Sequence, residues 1–93
     1  MNDLMNYSAL FDYYGELLSE KEKDYFKDYY FENLTLQEIA ENNDVSRNAV
    51  SKALKSAKEK MEHFEEKLHL LSKKEKIKRI LDEETFLKIE KYL

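Results

Sequence analysis

Five side chains near the middle of the chain have the chemistry and the spacing to contact a nucleic acid. They are Arg47, Asn48, Ser51, Lys52 and Lys55. Arginine can pair bidentately with guanine and asparagine with adenine, whereas serine and lysine can hold phosphates or bases. The surrounding stretch, Ser46–Met61, has five basic residues and one acid, although the whole chain has a net charge of −4. This local basic excess predicts that the five side chains face an anionic ligand.

Two helices joined by a tight turn are predicted to position these side chains. Thr35 with Glu38 has the capping-box pattern that begins a helix, and Ser46 suits the N-cap of a second helix. The apolar positions of this unit are Leu36, Ile39, Ala40, Val45, Val50 and Leu54. The pattern is that of a helix-turn-helix, in which two helices cross at a steep angle around a turn of three or four residues.

The second helix of such a unit enters the major groove of DNA, and its first residues contact the base edges. The free N–H groups at the start of both helices can also hold phosphates. The predicted DNA-binding residues are therefore Thr35, Ser46, Arg47, Asn48, Ser51, Lys52 and Lys55.

The whole chain is predicted to be all-α, a small helical domain with a long third helix and a helical tail. It has no proline and one glycine, Gly15, so the usual turns of β-hairpins are missing. Leu, Lys, Glu and Ala, which favour helices, dominate from Leu34 onward. Capping patterns at Ser19, Ser72 and Asp82 indicate three more helix starts. The predicted helices lie near residues 6–17, 20–33, 36–42, 47–71, 73–81 and 83–92.

The longest predicted helix has an apolar seam whose members alternate at spacings of four and three, as in a coiled coil. The seam begins at Val50 and Leu54 and continues through Ala57, Met61, Phe64, Leu68 and Leu71. The first helix, the C-terminal helices or a second copy of the chain could cover its later part. We expect the first helix to do so, together with a homodimer contact. Residues 1–71 are predicted to form the helix-turn-helix domain, and residues 72–93 a helical extension packed on that domain or on a partner subunit.

Nine aromatic residues lie between Tyr7 and Phe31. They could form a stacking platform for unpaired bases, or a core in which the tyrosine hydroxyls stay at the edge. Residues 1–45 contain eleven acids and three lysines, and this charge would repel a phosphate backbone. We therefore expect the aromatic residues to form the core.

A second basic patch lies in residues 72–81, where five basic residues accompany one acid. Its members are Lys73, Lys74, Lys76, Lys78 and Arg79. The patch could contact the phosphates of DNA or of a structured RNA. It could equally be a solvated helix face, or could complement acidic residues of the first helix or of a partner subunit.

The composition argues against several classes of function. The chain has no cysteine, which excludes disulfides and thiolate metal sites. His63 and His69 are six residues apart and do not share a helix face, so no metal site is predicted. There is no phosphate-cradling glycine loop and no Ser/His/Asp motif, so we expect neither an enzyme nor a cofactor. No signal peptide or apolar run of membrane-spanning length is visible, which predicts a cytoplasmic protein.

The segment LTLQEIAENNDVSRNAVSKAL resembles the helix-turn-helix of sigma-factor region four, with its LT-x-x-EIAE and VSR-x-AV patterns. Asp44 occupies the turn position that is commonly glycine, and aspartate tolerates left-handed backbone better than most residues. The longer segment Leu10–Leu71 resembles the YlxM family of small bacterial helix-turn-helix proteins. The aromatic first half of this segment makes the second resemblance the more specific one.

The YlxM resemblance implies a bacterial cytoplasmic regulator or accessory factor. Members of the family are encoded beside the GTPase of the signal recognition particle, and they have no established catalytic residues. Three functional hypotheses remain. The chain could be a dimeric DNA-binding regulator, an accessory factor that binds the RNA or the GTPase of the signal recognition particle, or a protein-interaction module that has lost nucleic-acid binding.

Overall fold

The computed structural model describes the backbone of residues 3–93 and the side chains of residues 6–93. Within that range it contains helices and no strand, so the all-α prediction is confirmed. The α-helices are α1 Asp3–Tyr14, α2 Glu20–Tyr30, α3 Leu36–Asn43, α4 Arg47–Leu68, α5 Leu70–Ile80 and α6 Glu83–Ile89. Short 3-10 helices follow α1 at Gly15–Leu17 and α6 at Glu90–Tyr92. None of the described helices is both long and apolar enough to cross a membrane.

The long helix α4 is the centre of the fold, because α1, α2 and α3 all pack against it. Its inner face places Val50, Leu54, Ala57 and Met61 in the core, where they are almost fully buried. The residues that surround this face come from the three preceding helices and the 3-10 turn after α1. They are Leu10, Tyr14, Leu18, Tyr25, Phe26, Ile39 and Ala40. The first turns of α4 therefore pack against the other helices through one face only.

Four of the predicted helix caps are present. The hydroxyl of Ser19 accepts a hydrogen bond from the N–H of Glu22 (3.2 Å), and the Glu22 carboxylate accepts one from the N–H of Ser19 (2.9 Å). Thr35 makes the same reciprocal capping box with Glu38 at the start of α3. Two further starts, those of α4 and α6, are capped by single side chains, Ser46 and Asp82.

The predicted continuous helix over residues 47–71 is wrong. Helix α4 ends at Leu68, and His69 has a left-handed backbone (φ 56°) that turns the chain into α5. Ser72 is likewise not a helix cap, because it lies inside α5. The physical reason is the carboxylate of Glu65, which accepts hydrogen bonds from the N–H groups of Leu71 (3.0 Å) and Ser72 (3.2 Å). These bonds satisfy the free amides at the start of a new helix.

The apolar seam of the long helix is covered by the chain itself over most of its length. Ala57 and Met61 are buried, and Phe64 packs its ring against Tyr14 of α1 with the centroids 6.0 Å apart. Leu71 lies beyond the break, on α5, and is half-buried against the same core. Leu68 remains 47% exposed. Packing of the long helix against the first helix is thus observed.

The aromatic residues of the first half form much of the core, as expected. Phe26 is fully buried and stacks on Phe11 with a centroid distance of 4.6 Å and nearly parallel planes. Tyr14 and Tyr25 are also buried. Tyr29 and Phe31, at the end of α2, are among the large apolar side chains that remain exposed.

A buried carboxylate joins α2 to α4. Glu22 accepts hydrogen bonds from the Ser56 hydroxyl (2.7 Å) and the Lys60 ammonium (2.9 Å) of α4, in addition to its bond with Ser19. Burial by itself raises the pKa of Glu22. The hydrogen bonds from Ser19, Ser56 and Lys60 outweigh it and lower the pKa to about 2. Glu22 is therefore ionised in the fold and holds α4 at a defined position across α2.

Candidate nucleic-acid interface

The turn between α3 and α4 has the geometry that the sequence predicts. Asp44 adopts the left-handed conformation (φ 53°), and its N–H bonds to the carbonyls of Ala40 and Glu41. The N–H of Val45 donates to the carbonyl of Ala40 (3.0 Å), and the Val45 side chain packs against the core. Asn43 donates its side-chain amide to the carbonyl of Ile39 (2.7 Å). The end of α3 is therefore closed by hydrogen bonds, and α4 begins in a fixed direction.

The structure brings the predicted DNA-binding residues together on one surface. Val50 and Leu54 are buried, so the opposite face of the first α4 turns points to solvent. All the predicted contacts in this region are exposed: Thr35, Ser46, Arg47, Asn48, Ser51, Lys52 and Lys55. A convex helix face of this kind has the dimensions to enter a major groove.

The basic residues of Ser46–Met61 divide into two groups. Within the described residues, Arg47, Lys52 and Lys55 form no ion pair. Lys60 is paired with Glu22 across the helix interface. Lys58 is half-buried, and its ammonium lies 5.2 Å from the ring centroids of both Tyr7 and Tyr30. The sequence pattern alone did not distinguish the solvent-facing cations from those that contact the fold.

Two adjoining open depressions lie beside the exposed face of α4, with volumes of about 570 and 270 Å³. Tyr29 and Leu36 line both of them. Arg47 lines the larger, and Lys55 and Lys58 line the smaller. We call the two together the side groove. Tyr29 and Lys58 are not among the DNA-binding residues that the sequence predicts. Helical spacing from Arg47 could have indicated Lys58, but nothing in the sequence connects Tyr29 with α4.

The second basic patch lies on α5. Lys73, Lys76, Lys78 and Arg79 are exposed there. Lys74 instead points toward the fold, where its ammonium is 3.4 Å from a carboxylate oxygen of Glu90 and lies over the ring of Tyr13. Lys74 thus helps to hold the tail on the domain. Lys78 also contacts the fold, because its ammonium lies over the ring of Phe86, 6.0 Å from the centroid. Lys73, Lys76 and Arg79, which are spaced by three residues, form a separate charged stripe along α5.

The residues whose side chains the structure describes contain no candidate metal site. No group of three or more His, Asp or Glu side chains that could hold a metal ion is found among them. His63 is exposed on α4, and His69 forms the bend between α4 and α5.

Comparison with known proteins gives a consistent result. A family model described as "Putative helix-turn-helix protein, YlxM / p13 like" matches residues 1–91. The UPF0122 protein of Malacoplasma penetrans is 46% identical over 69 residues, which are 74% of this chain and 64% of that protein. The UPF0122 protein of Halalkalibacterium halodurans is 48% identical over 79 residues, which are 85% of this chain and 71% of that protein. The match therefore spans slightly less than two thirds of the Malacoplasma protein.

Proposed function

Because this chain belongs to the UPF0122 family of YlxM- and p13-like helix-turn-helix proteins, we propose that it is a regulatory protein that binds duplex DNA. The observation that carries the proposal is the solvent-facing side of α4. Three cations there, Arg47, Lys52 and Lys55, have no ion-pair partner among the described residues, in a chain that has 20 acidic residues. The family is not one of enzymes.

In the proposed complex, the first turns of α4 lie in the major groove. Arg47 and Asn48 at the start of the helix reach base edges, and Ser51, Lys52 and Lys55 follow along the groove. The backbone N–H groups near Thr35 and Ser46 hold the flanking phosphates, since both helix starts are exposed. The proposal assigns DNA binding to residues 1–71, with residues 72–93 as an extension.

The negative charge of the rest of the chain is compatible with this role. Charges separated by more than about 8 Å are largely screened at physiological salt. Lys58 belongs to the same helix, and it adds positive charge beside Ser51 and Lys55 of the interface. A protein of this kind would bind weakly to unrelated DNA, and would depend on base contacts for affinity.

Selection from a random duplex pool tests the proposal, with the affinity of the enriched sequences measured at two salt concentrations. Enrichment of a defined motif that is bound more weakly at high salt supports a DNA-reading protein. A well-folded sample that enriches nothing contradicts the proposal.

The Arg47→Ala variant should weaken binding to the selected site by about 1–3 kcal/mol and relax the preference at one base pair. The reason is the loss of a bidentate contact to a base edge. Lys52→Ala should instead weaken binding to all sequences by similar amounts. Fluorescence anisotropy on the selected site and on single-base variants measures both effects. Arg79→Ala, which removes an exposed arginine of α5, is the matched control, and equal losses for Arg47→Ala and Arg79→Ala would contradict the assignment.

We also propose that the protein acts as a homodimer. Leu68 supports this, because it continues the apolar seam of α4 and yet is 47% exposed. The neighbouring seam residues Ala57, Met61, Phe64 and Leu71 pack within the chain, so the contact would use the end of the seam. A two-fold symmetric selected motif is the corresponding expectation for the DNA.

Leu68→Glu should convert the dimer into monomers, because it places a charge in the centre of the proposed contact. Light scattering should then report half the mass of the unaltered protein. Phe64→Glu is less suitable, since Phe64 packs on Tyr14 and its replacement would disturb the fold. Leu87→Glu, at an exposed leucine of α6 outside the seam, is the control. A mass that is unchanged in Leu68→Glu, or a monomeric parent protein, would contradict the proposal.

A second candidate function is that of an accessory factor for the signal recognition particle, binding its RNA or its GTPase. The observation that favours it is the exposed basic stripe of α5, formed by Lys73, Lys76 and Arg79. Structured RNA is bound largely through its phosphates and shape, which suits such a surface. The same variants separate the candidates, because RNA binding through α5 would respond to Arg79→Ala and not to Arg47→Ala.

A further inference from the structure

We propose that the DNA interface extends from the face of α4 into the side groove, where Tyr29 and Lys58 contact one sugar-phosphate strand of the duplex. This inference rests on the proposed DNA-binding function and adds two contacts that lie outside the helix-turn-helix pattern. Tyr29 belongs to α2, and Lys58 lies in the fourth turn of α4.

The side groove is continuous with the predicted recognition surface. The larger depression is lined by Thr35 and Arg47, and the smaller one by Ser51 and Lys55. These four residues are already candidates for DNA contact. Tyr29 and Leu36 line both depressions and therefore form the common part of the groove. A strand that follows the cap of α3 past the first turns of α4 would cross it.

The charge of the side groove favours an anionic occupant. Arg47, Ser51, Lys55 and Lys58 are spaced by four, four and three residues, so they form one stripe along the side of α4. Among the residues whose side chains the structure describes, no carboxylate lines either depression, although the chain contains 20 acidic residues. A surface of three cations without an acid is the pattern expected for phosphate contacts.

Lys58 is held in place before any ligand binds. Its ammonium lies 5.2 Å from the centroids of the Tyr7 and Tyr30 rings, and these cation–π contacts restrict its side chain. Less conformational entropy is therefore lost when it contacts a phosphate. Lys60, by contrast, forms an ion pair with Glu22 and does not line the groove.

Tyr29 provides both an apolar surface and a hydroxyl. It is 37% exposed, and its ring is fixed by an edge contact with Tyr30 at a centroid distance of 5.0 Å. The ring, with Leu36 beside it, offers apolar contact to a deoxyribose, and the hydroxyl can donate to a phosphate oxygen. Neither interaction depends on the base, so both would position the duplex without selecting a sequence.

The test uses Tyr29→Phe and Lys58→Gln on the selected duplex and on an unrelated one. Tyr29→Phe should weaken both complexes by about 3- to 10-fold, in line with the loss of one hydrogen bond. Lys58→Gln should weaken both and reduce the slope of log K against log salt by about one, because one fewer counterion is released. The matched controls are Tyr92→Phe and Lys91→Gln, since Lys91 lies over the Tyr92 ring in an exposed pair at the C-terminal end.

A neutral phosphate analogue identifies the contact itself. A methylphosphonate is placed at one phosphate of the duplex at a time. At one of these positions it should weaken binding by the unaltered protein, and it should not weaken binding by Lys58→Gln any further. If Lys58→Gln melts at a lower temperature than the unaltered protein, the affinity of Tyr29→Phe tests the contact, because this variant retains the ring contacts of Tyr29. Wild-type affinity and salt slope in both variants, with Arg47→Ala still defective, would overturn the side-groove contact and leave the DNA-binding proposal intact. Absence of duplex binding by the unaltered protein would overturn both.

Discussion

Replacing Glu22 with glutamine is expected to lower the free energy of unfolding at pH 7 by roughly 3 kcal/mol. Glutamine has almost the same shape but cannot carry the charge that Ser19, Ser56 and Lys60 stabilise. A pKa lowered from 4.5 to about 2 means that the fold favours the ionised carboxylate by an amount of this order. Chemical denaturation followed by circular dichroism measures the difference. Glu20→Gln, two residues earlier in the first turn of α2 and exposed, should change the stability by less than about 0.5 kcal/mol.

The same variant should change the response to acid. Since the pKa of Glu22 is lower in the folded state, its contribution is fully present above about pH 5 and is lost as the pH falls through 4.5 toward 2. The unaltered protein should lose stability across this window, and Glu22→Gln should lose less. Parallel pH dependence in the two proteins would contradict the role of this carboxylate.

Replacing Glu65 with alanine is expected to detach α5 and α6 from the domain and to cost about 3 kcal/mol of local stability. Glu65 accepts hydrogen bonds from the buried Tyr14 hydroxyl (2.7 Å) and from the N–H groups of Leu71 and Ser72. Without it these donors lose a charged acceptor, which is more costly than the loss of a neutral one. Amide hydrogen exchange should show faster exchange in α5, while the amides of α2 and α4 change little. Glu66→Ala, at the exposed neighbouring position, is the control.

Tyr14 provides an independent readout of this change. Burial raises the pKa of Tyr14, and its hydrogen bond to Glu65 raises that pKa further. In Glu65→Ala the pKa should fall toward the ordinary value of 10, as measured by ultraviolet titration. An unchanged pKa together with unchanged exchange in α5 would show that the junction does not depend on Glu65.

Local sequence determined the helix-turn-helix to a large extent, because its signals act over a few residues. Thr35 and Ser46 cap the helices that follow them, and Asp44 adopts the left-handed turn. The alternation of Val50 and Leu54 with polar residues settles which side of α4 is buried. The family resemblance read from Leu10–Leu71 is confirmed by the match over residues 1–91. The roles of the individual DNA-binding residues stay predictions.

Tertiary structure decided where the long helix ends. The seam from Val50 to Leu71 favours one continuous helix, and no glycine or proline interrupts it. The chain nevertheless bends at His69, because the hydroxyl of Tyr14, 51 residues from Glu65, joins that carboxylate at the start of α5. A pattern confined to one helix carries no information about such a partner.

Contacts between residues far apart in the chain also explain which cations face solvent and why the sequence did not predict the side groove. Spacing along α4 put Lys52, Lys58 and Lys60 in a single basic stretch, and it could not say which of them would contact the fold. Glu22 and the tyrosine rings of α1 and α2 decided this, and left Lys52 facing solvent. Tyr29 reaches the same surface only because α2 crosses α4. The sequence alone thus determined the helix-turn-helix and the inner and outer faces of α4, since these follow from short-range periodicity and capping. The tertiary structure alone decided which charges remain available and which helices meet beside them, since both depend on residues far apart in the chain.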